Sequence, residues 1–264
     1  MKRLAIVTGA SSGIGEAAAR RLAAEPGLEL VLVARREDRL KALASSIPGA
    51  TWIAVDLTDD DAPARIREHV EARGAPLGLL VNNAGAAWRA KFADGGHENV
   101  RRTMAVNFDA VVRLTEALLP LLRAAAPSAI VNVASTAGRV ARAGTGAYSA
   151  SKFALVGWSD SVYAEELRNG VHVGLVLPGF IATEGFPQAE LRAKRLTRWA
   201  VSTPERGAEA IVDAGLRGRA ERYVPRYYAI AATLRVVAPR LVRRVMAGGA
   251  ASAMTTRTRA DEEG

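Results

Sequence analysis

The feature that most constrains this chain is a glycine-spaced turn set between a short apolar run and a helix-forming one. The run from Leu4 to Thr8 passes directly into Thr8-Gly9-Ala10-Ser11-Ser12-Gly13-Ile14-Gly15, and the stretch Glu16 to Ala24 follows at once. A strand that feeds a helix through so tight a turn is the opening of a strand-helix-strand crossover, which belongs to parallel sheets. The glycines have separate tasks. Gly9 permits the sharp exit from the strand, Gly13 lets backbone come close to a pyrophosphate, and Gly15 lets the helix sit tightly on the sheet. Open N–H groups at such a helix start, together with the helix dipole, attract negative charge. Three glycines can also make a plain structural turn; their place at a first strand-to-helix junction is what points to a nucleotide.

Further short apolar runs, rich in β-branched residues, alternate with longer amphipathic segments: Leu28 to Ala34, Thr51 to Val55, Leu79 to Asn82, Ala129 to Ala134 and Val171 to Leu177. Near-continuous hydrophobicity within each run suits parallel strands covered by helices on both faces. In between, Val111, Leu114, Leu118, Leu121 and Leu122 keep to one helical face, where Pro120 is expected to bend the helix or loosen its last turns. The rhythm predicts an α/β fold with a doubly wound parallel sheet.

At 264 residues, 49% of them hydrophobic, the chain can bury one large core without a second full domain. It shows no run near the roughly 20 apolar residues of a membrane-spanning helix. Its N-terminus lacks the layout of a signal peptide, so a cytoplasmic protein is expected. With no cysteine, disulfides, thiolate nucleophiles and cysteine-based zinc sites are all excluded. His69, His97 and His172 have no metal-ligand spacing, and no metal is expected. The net charge of +9 invites an anionic partner, yet there is no zinc finger, no RNP-type strand and only 5% aromatic residues, so nucleic acid is not the expected one.

Tyr148 and Lys152 stand four residues apart at a predicted helix start, so both project from one face. A nearby ammonium is expected to stabilise a phenolate and bring an ordinary phenol pKa of about 10 towards neutrality. Taken alone this spacing is common. In its setting it resembles the classical short-chain dehydrogenase/reductase family, whose first turn reads TGxxxGxG. The likeness continues through Asn82-Asn83-Ala84-Gly85, Asn107, Ser135, Tyr148-x-x-x-Lys152 and Pro178-Gly179, and spans residues 1 to about 225. It implies a Rossmann-like sheet of about seven strands in the order 3-2-1-4-5-6-7, the last expected around Arg222 to Val224. It also implies hydride transfer between a nicotinamide cofactor and a carbonyl or secondary alcohol. In that reading Tyr148 is the general acid/base and Ser135 binds the substrate oxygen. Lys152 also holds the nicotinamide ribose, and Asn107 holds a water linking Lys152 to solvent. Tyr163, with no lysine four residues on, is expected only to pack.

The resemblance places Thr8, Gly9, Ser11, Ser12, Gly13, Ile14 and Gly15 at the phosphates and Asp56 and Leu57 beside the adenine. Asn83, Ala84 and Gly85 fall along the adenosine and ribose, and Pro178, Gly179, Ile181 and Thr183 on the nicotinamide side. Where an NAD site usually carries an acid at the end of the second strand, this chain has Ala34, followed by Arg35 and Arg36. Their guanidinium forks suit a 2′-phosphate, so NADP(H) is favoured over NAD(H), with Glu37 and Asp38 as groups that could draw them away. A non-catalytic dinucleotide-binding regulator or scaffold is the alternative function.

The resemblance places substrate choice in Phe180 to Trp199, which reads as an apolar lid that includes Phe186, Pro187, Leu191, Leu196 and Trp199. Ala86, Ala87, Trp88, Val140 and Ala141 are candidate further walls, and a hydrophobic substrate follows. The catalytic domain is expected over 1–225 and a basic, apolar helical extension over 226–246, with a loosely held tail at 247–264. Residues 217–246 hold eight arginines against the single acid Glu221. Such a segment can lie on an anionic membrane; packing on the chain's own pocket or on a partner subunit is the favoured reading, with Pro239 breaking the helix. The resemblance also implies pairing through the helices near 108–125 and 148–169, and with it a homodimer or homotetramer.

Overall fold

The computed structural model describes residues 2–184 and 200–247. The expected lid residues Phe186, Pro187, Leu191, Leu196 and Trp199, and the tail from 248 onward, lie outside them. Six strands, β1 (Arg3–Thr8), β2 (Leu28–Ala34), β3 (Thr51–Ala54), β4 (Leu77–Asn82), β5 (Ser128–Val133) and β6 (Val171–Pro178), form most of one sheet. Two short strands, β7 (Phe180–Ile181) and β8 (Val201–Ser202), pair separately in parallel. Glu221–Val224, β9, completes the main sheet, whose order is β3-β2-β1-β4-β5-β6-β9 with every neighbour parallel. Counting only this sheet's strands, that is the expected order 3-2-1-4-5-6-7.

Parallel strands bury both faces, and period-two alternation sends successive side chains to opposite cores. In β1, Ala5 and Val7 join a core built with α1 (Gly13–Leu22), α2 (Glu37–Ser45) and α7 (Pro204–Gly215). Leu4 and Ile6 join the opposite core, under α3 (Ala62–Glu71), α5 (Ala110–Ala124) and α6 (Gly146–Glu166). Each fully buried leucine or isoleucine here stabilises by about 1.5–3 kcal/mol.

Two expectations can be followed into the structure. Around Pro120 the last turns of α5 stay α-helical to Ala124, with the proline on its exposed face, where its missing N–H costs least. The C-terminal segment does break at Pro239, into α8 (Tyr228–Val237) and α9 (Pro239–Ala247), but neither helix buries a residue. Among the described residues their apolar side chains do not fill the chain's own pocket, the first half of the favoured reading, though Tyr228 packs against Phe180 and Gly179 at its edge.

Strand order reverses at β1, with β2 and β3 on one side and β4 on the other. At such a switch point the loops leaving neighbouring strand ends diverge and open a crevice. The glycine turn leaves β1 into that crevice, and Asn83-Ala84-Gly85 leaves β4.

Candidate active site

Gly9 and Gly13 have φ of +66° and +58°, backbone that side chains rarely adopt. A Cβ on Gly15 would stand 2.2 Å from the Gly9 carbonyl oxygen, so the turn closes on itself only with glycine there. Ser12 at the head of α1 makes no side-chain cap, leaving the first-turn N–H groups open, and its hydroxyl instead accepts from Arg36 Nη2 at 2.7 Å. Thr8 and Asn83 stitch the two loops together. Thr8 Oγ1 accepts from the Asn83 and Ala84 amides at 2.9 and 3.1 Å, and Asn83 Nδ2 donates to the Thr8 carbonyl at 2.9 Å.

Two cavities run end to end and share Ser12, Asn83, Gly85 and Ala86. The first, about 240 Å³, is lined by Gly9, Ser11, Ala34, Arg35, Arg36, Asp56, Leu57 and Ala84. The second, about 220 Å³, carries Gly13, Ile14, Ser135, Tyr148, Lys152, Pro178, Gly179, Ile181 and Thr183. The crevice thus brings together most residues picked from the sequence. Thr8, Gly15 and Asn107 stand behind its walls and shape it. Of the proposed further walls, Ala86 and Ala87 line the second cavity; Trp88 instead faces the first, and Val140 and Ala141 line neither.

Tyr148 is the third residue of α6, and Lys152 follows one turn later, its Nζ 5.9 Å from the Tyr148 ring centre. Lys152 is buried and donates to the Val133 carbonyl at 2.9 Å. Ser135 leaves β5 in extended backbone, takes the Ala137 amide at 3.1 Å, and is hydrogen-bonded to the Tyr148 phenol. Residues 3–193 match the family described as short chain dehydrogenase.

This chain belongs to the short-chain dehydrogenase family.

The chain is similar to a cis-4-hydroxycyclohexanecarboxylate dehydrogenase of Sinomonas cyclohexanicum, 35% identical over 80% of this chain and 88% of the relative. It is also similar to a granaticin polyketide synthase putative ketoacyl reductase 1 of Streptomyces violaceoruber, 36% identical over 77% of this chain and 76% of that one. A crystal structure of a short-chain dehydrogenase from Streptomyces avermitilis superposes with a TM-score of 0.79 at 29% identity, covering 91% of this chain and 95% of the other. Members of this oxidoreductase family use a nicotinamide dinucleotide, and the crevice fits one. A Cβ on Gly13 would come within 3.1 Å of the Thr183 methyl, so any side chain there would close the gap between the turn and the opposite loop.

Several features of this dehydrogenase were out of reach of sequence reasoning. Asn107 lies in a π-helical turn, Ala105–Asp109, which joins the helix Phe92–Met104 to α5. From there Asn107 clamps Ala86 by both backbone groups, accepting its N–H at 2.8 Å and donating to its carbonyl at 2.9 Å, and donates to Ser151 Oγ on α6 at 3.0 Å. Gly138 lets the loop after β5 press on α6: a Cβ there would stand 2.7 Å from the Lys152 carbonyl oxygen. Tyr228 seats its ring where a Gly179 side chain would be and donates to the Ala200 carbonyl at 3.1 Å. Only Gly179 of these four positions carried a sequence signal besides Asn107, through the Pro-Gly pair.

The electrostatics also differ from expectation. Burial pushes the Tyr148 phenol above its ordinary value, and the groups that pull it back are Ser135, Arg142 and Arg89 rather than Lys152. Burial draws the Lys152 ammonium down to about 8. At the other end, Glu37 pairs with Lys41 and does not compete for the arginines. The competing acids are Asp56, 3.5 Å from Arg35, and Glu184, which takes Arg39 Nη2 at 3.0 Å and Arg36 Nη1 at 3.5 Å. Burial by itself would raise the Asp56 pKa, but the Thr58 N–H and hydroxyl, with Arg35, hold its carboxyl below the usual range.

Proposed function

We propose that this dehydrogenase is NADP(H)-dependent and interconverts a carbonyl and a secondary alcohol on a largely hydrophobic substrate, with Tyr148 as the general acid/base. The observation that carries this reading is the meeting of the Tyr148 phenol, the Ser135 hydroxyl and the Lys152 ammonium at one end of a crevice whose other end is the glycine turn under Arg36. The bound nicotinamide supplies or takes the hydride. Ser135 orients the substrate oxygen beside Tyr148 and stabilises the charge that develops on it. Tyr148 gives that oxygen its proton in reduction and removes it in oxidation. Lys152 holds the nicotinamide ribose. The point where a Gly85 side chain would begin lies 3.0 Å from Asn107 Oδ1 and 3.5 Å from Lys152 Nζ, so both groups face one side of Gly85, and a water held beside them would return protons from solvent.

Preference for the 2′-phosphate rests on Ala34 at the end of β2 and on Arg36, whose Nε and Nη2 approach Ser11 Oγ at 3.2 and 3.1 Å. Reduction is the working direction because cellular NADP pools are kept reduced. The regulator alternative predicts binding without turnover, and the assembled Ser135, Tyr148 and Lys152 speak against it. Oxidation of NADPH and NADH across a ketone panel, with Tyr148→Phe alongside, tests the reading; tight dinucleotide binding with no turnover of any ketone or alcohol would overturn it.

A second reading concerns α8 and α9. Ile230, Val236, Val237, Leu241 and Val245 are exposed on them, beside Arg235, Arg240, Arg243 and Arg244. No helix among the described residues is long and apolar enough to cross a membrane. This pattern supports peripheral contact with an anionic lipid surface, alongside the homo-oligomer expected through α5 and α6. Co-sedimentation of the full chain with anionic vesicles is expected to be salt-sensitive; retention in the supernatant at every salt concentration would remove the membrane contact.

A further inference from the structure

The substrate end of the crevice is not the purely apolar chamber that its sequence suggests. Arg89, Arg142 and Lys152 line it together with Ala87, Phe180 and Ile181, and no acid does so among the described residues. Arg142 is the unusual member. Its guanidinium lies 4.7 Å over the Phe180 ring and has no carboxylate partner among the described residues, whereas Arg21, Arg39, Arg101, Arg123 and Arg217 each pair with one. Burial and the neighbouring Arg89 both press its pKa down. A half-buried guanidinium beside a like charge, with no carboxylate partner among the described residues, is costly to hold in a fold, and its place at the mouth of a reaction chamber points to a role there.

We propose that Arg142 is the anchor of an anion subsite and that the substrate of this enzyme is a carbonyl or alcohol compound bearing a carboxylate. The inference rests on the catalytic reading above and narrows its substrate class. The Phe180 ring holds the guanidinium carbon at 4.7 Å, and a guanidinium so held can offer its N–H fork to a planar carboxylate with two parallel hydrogen bonds. Arg89 adds a second positive charge, and an anion between the two relieves their repulsion. Neither arginine lines the adenosine cavity, so their charge is directed at the substrate and not at the 2′-phosphate end. The apolar walls then hold the carbon skeleton between the carboxylate and the oxygen that faces Tyr148 and Ser135.

The test compares para-acetylbenzoate and levulinate with their methyl esters and with the matching phosphonates, in wild type, Arg142→Gln and Arg142→Lys. In wild type kcat/KM is expected to favour the acids over the esters and the phosphonates, chiefly through KM. Arg142→Gln is expected to cut that acid-over-ester ratio by about tenfold to a hundredfold, the range for a charged hydrogen-bonded contact. Arg142→Lys, which keeps the charge and loses the fork, is expected to fall between, and it carries the test should the glutamine variant fail to fold. NADPH affinity, read by calorimetry, is expected to stay unchanged; a loss matching that of the acid would reassign Arg142 to the cofactor. Phosphonates preferred over the acids would name a different anion. Ketones reduced without regard to acid or ester, in wild type and variants alike, would overturn this inference and leave the reductase intact. If wild type reduces no ketone, the catalytic reading fails, and calorimetry of benzoate against benzamide still decides the subsite: equal binding of the two in wild type would refute it.

Discussion

The two ends of the crevice solve the same problem, holding negative charge, by opposite means. At the adenosine end the positive groups are exposed and shared out. Arg36 spreads its donors over Ser11, Ser12 and Glu184, and the exposed Arg35 reaches Asp56 at 3.5 Å. At the reaction end the cations are drawn inward: Lys152 is buried against the Val133 carbonyl, and Arg142 is half-buried over the Phe180 ring. Exposed charge is screened and tunes a preference by degrees, while buried charge interacts strongly and alters chemistry outright. The glycine turn stands between, contributing backbone N–H groups in place of charged side chains.

Substitutions graded by size can break or sharpen this contrast. Tyr148→Phe removes the group that exchanges the substrate proton and is expected to lower kcat by about 10²–10⁴-fold with the melting temperature nearly unchanged, as single-turnover kinetics and calorimetry would show. Retained turnover would mean that the buried end does not host the proton transfer.

Lys152→Met comes next. It is expected to abolish turnover and yet raise the melting temperature by a few degrees near neutral pH, because it deletes a buried ammonium. The folded value of about 8 lies below the unfolded value near 10.5, so between them the unfolded chain binds more protons and wild-type stability rises with pH. The burial penalty is fully present below pH 8, is on the order of 3 kcal/mol, and fades by about pH 10.5. The gap between variant and wild type therefore narrows over that window. A gap that is flat with pH would show that the lysine is not held in a dry site.

At the exposed end, Arg36→Ala is expected to shift the NADPH-over-NADH preference by roughly tenfold, and the shift should shrink as salt rises. A salt-independent effect would put this arginine in the same class as Arg142. The smallest expected change is for Gly85→Ala, whose methyl would intrude between Asn107 Oδ1 and Lys152 Nζ. A loss of about threefold to tenfold in kcat, with dinucleotide affinity kept, would fit displacement of one bridging water. An unchanged kcat would remove that water from the proton path.

Much of the scaffold could be read because its determinants are local. Apolar runs of strand length, glycines at fixed offsets, and a tyrosine and lysine one turn apart all declare themselves within a few residues. The effect of Pro120 was only partly legible, because the cost of a helical proline depends on which face it occupies, and that face is set by the sheet beneath α5. Asn107 could be picked out as a position, but the π-helical turn that aims it at Ala86 and Ser151 leaves no trace in periodicity. Arg142 passed unnoticed in a loop of small residues. Nothing near it in the chain announces Phe180, thirty-eight positions away, as the ring it lies against.

By itself, then, the amino-acid order determined the parallel α/β architecture, the dinucleotide cradle and the pairing of Tyr148 with Lys152, since each depends on contacts within one turn or one strand. Tertiary structure alone decided which charges are dry. It placed Lys152 on Val133, pushed the Tyr148 phenol up instead of down, and left Arg142 facing the reaction chamber. Desolvation is set by every element that surrounds a group, and those elements meet only when the whole sheet has closed.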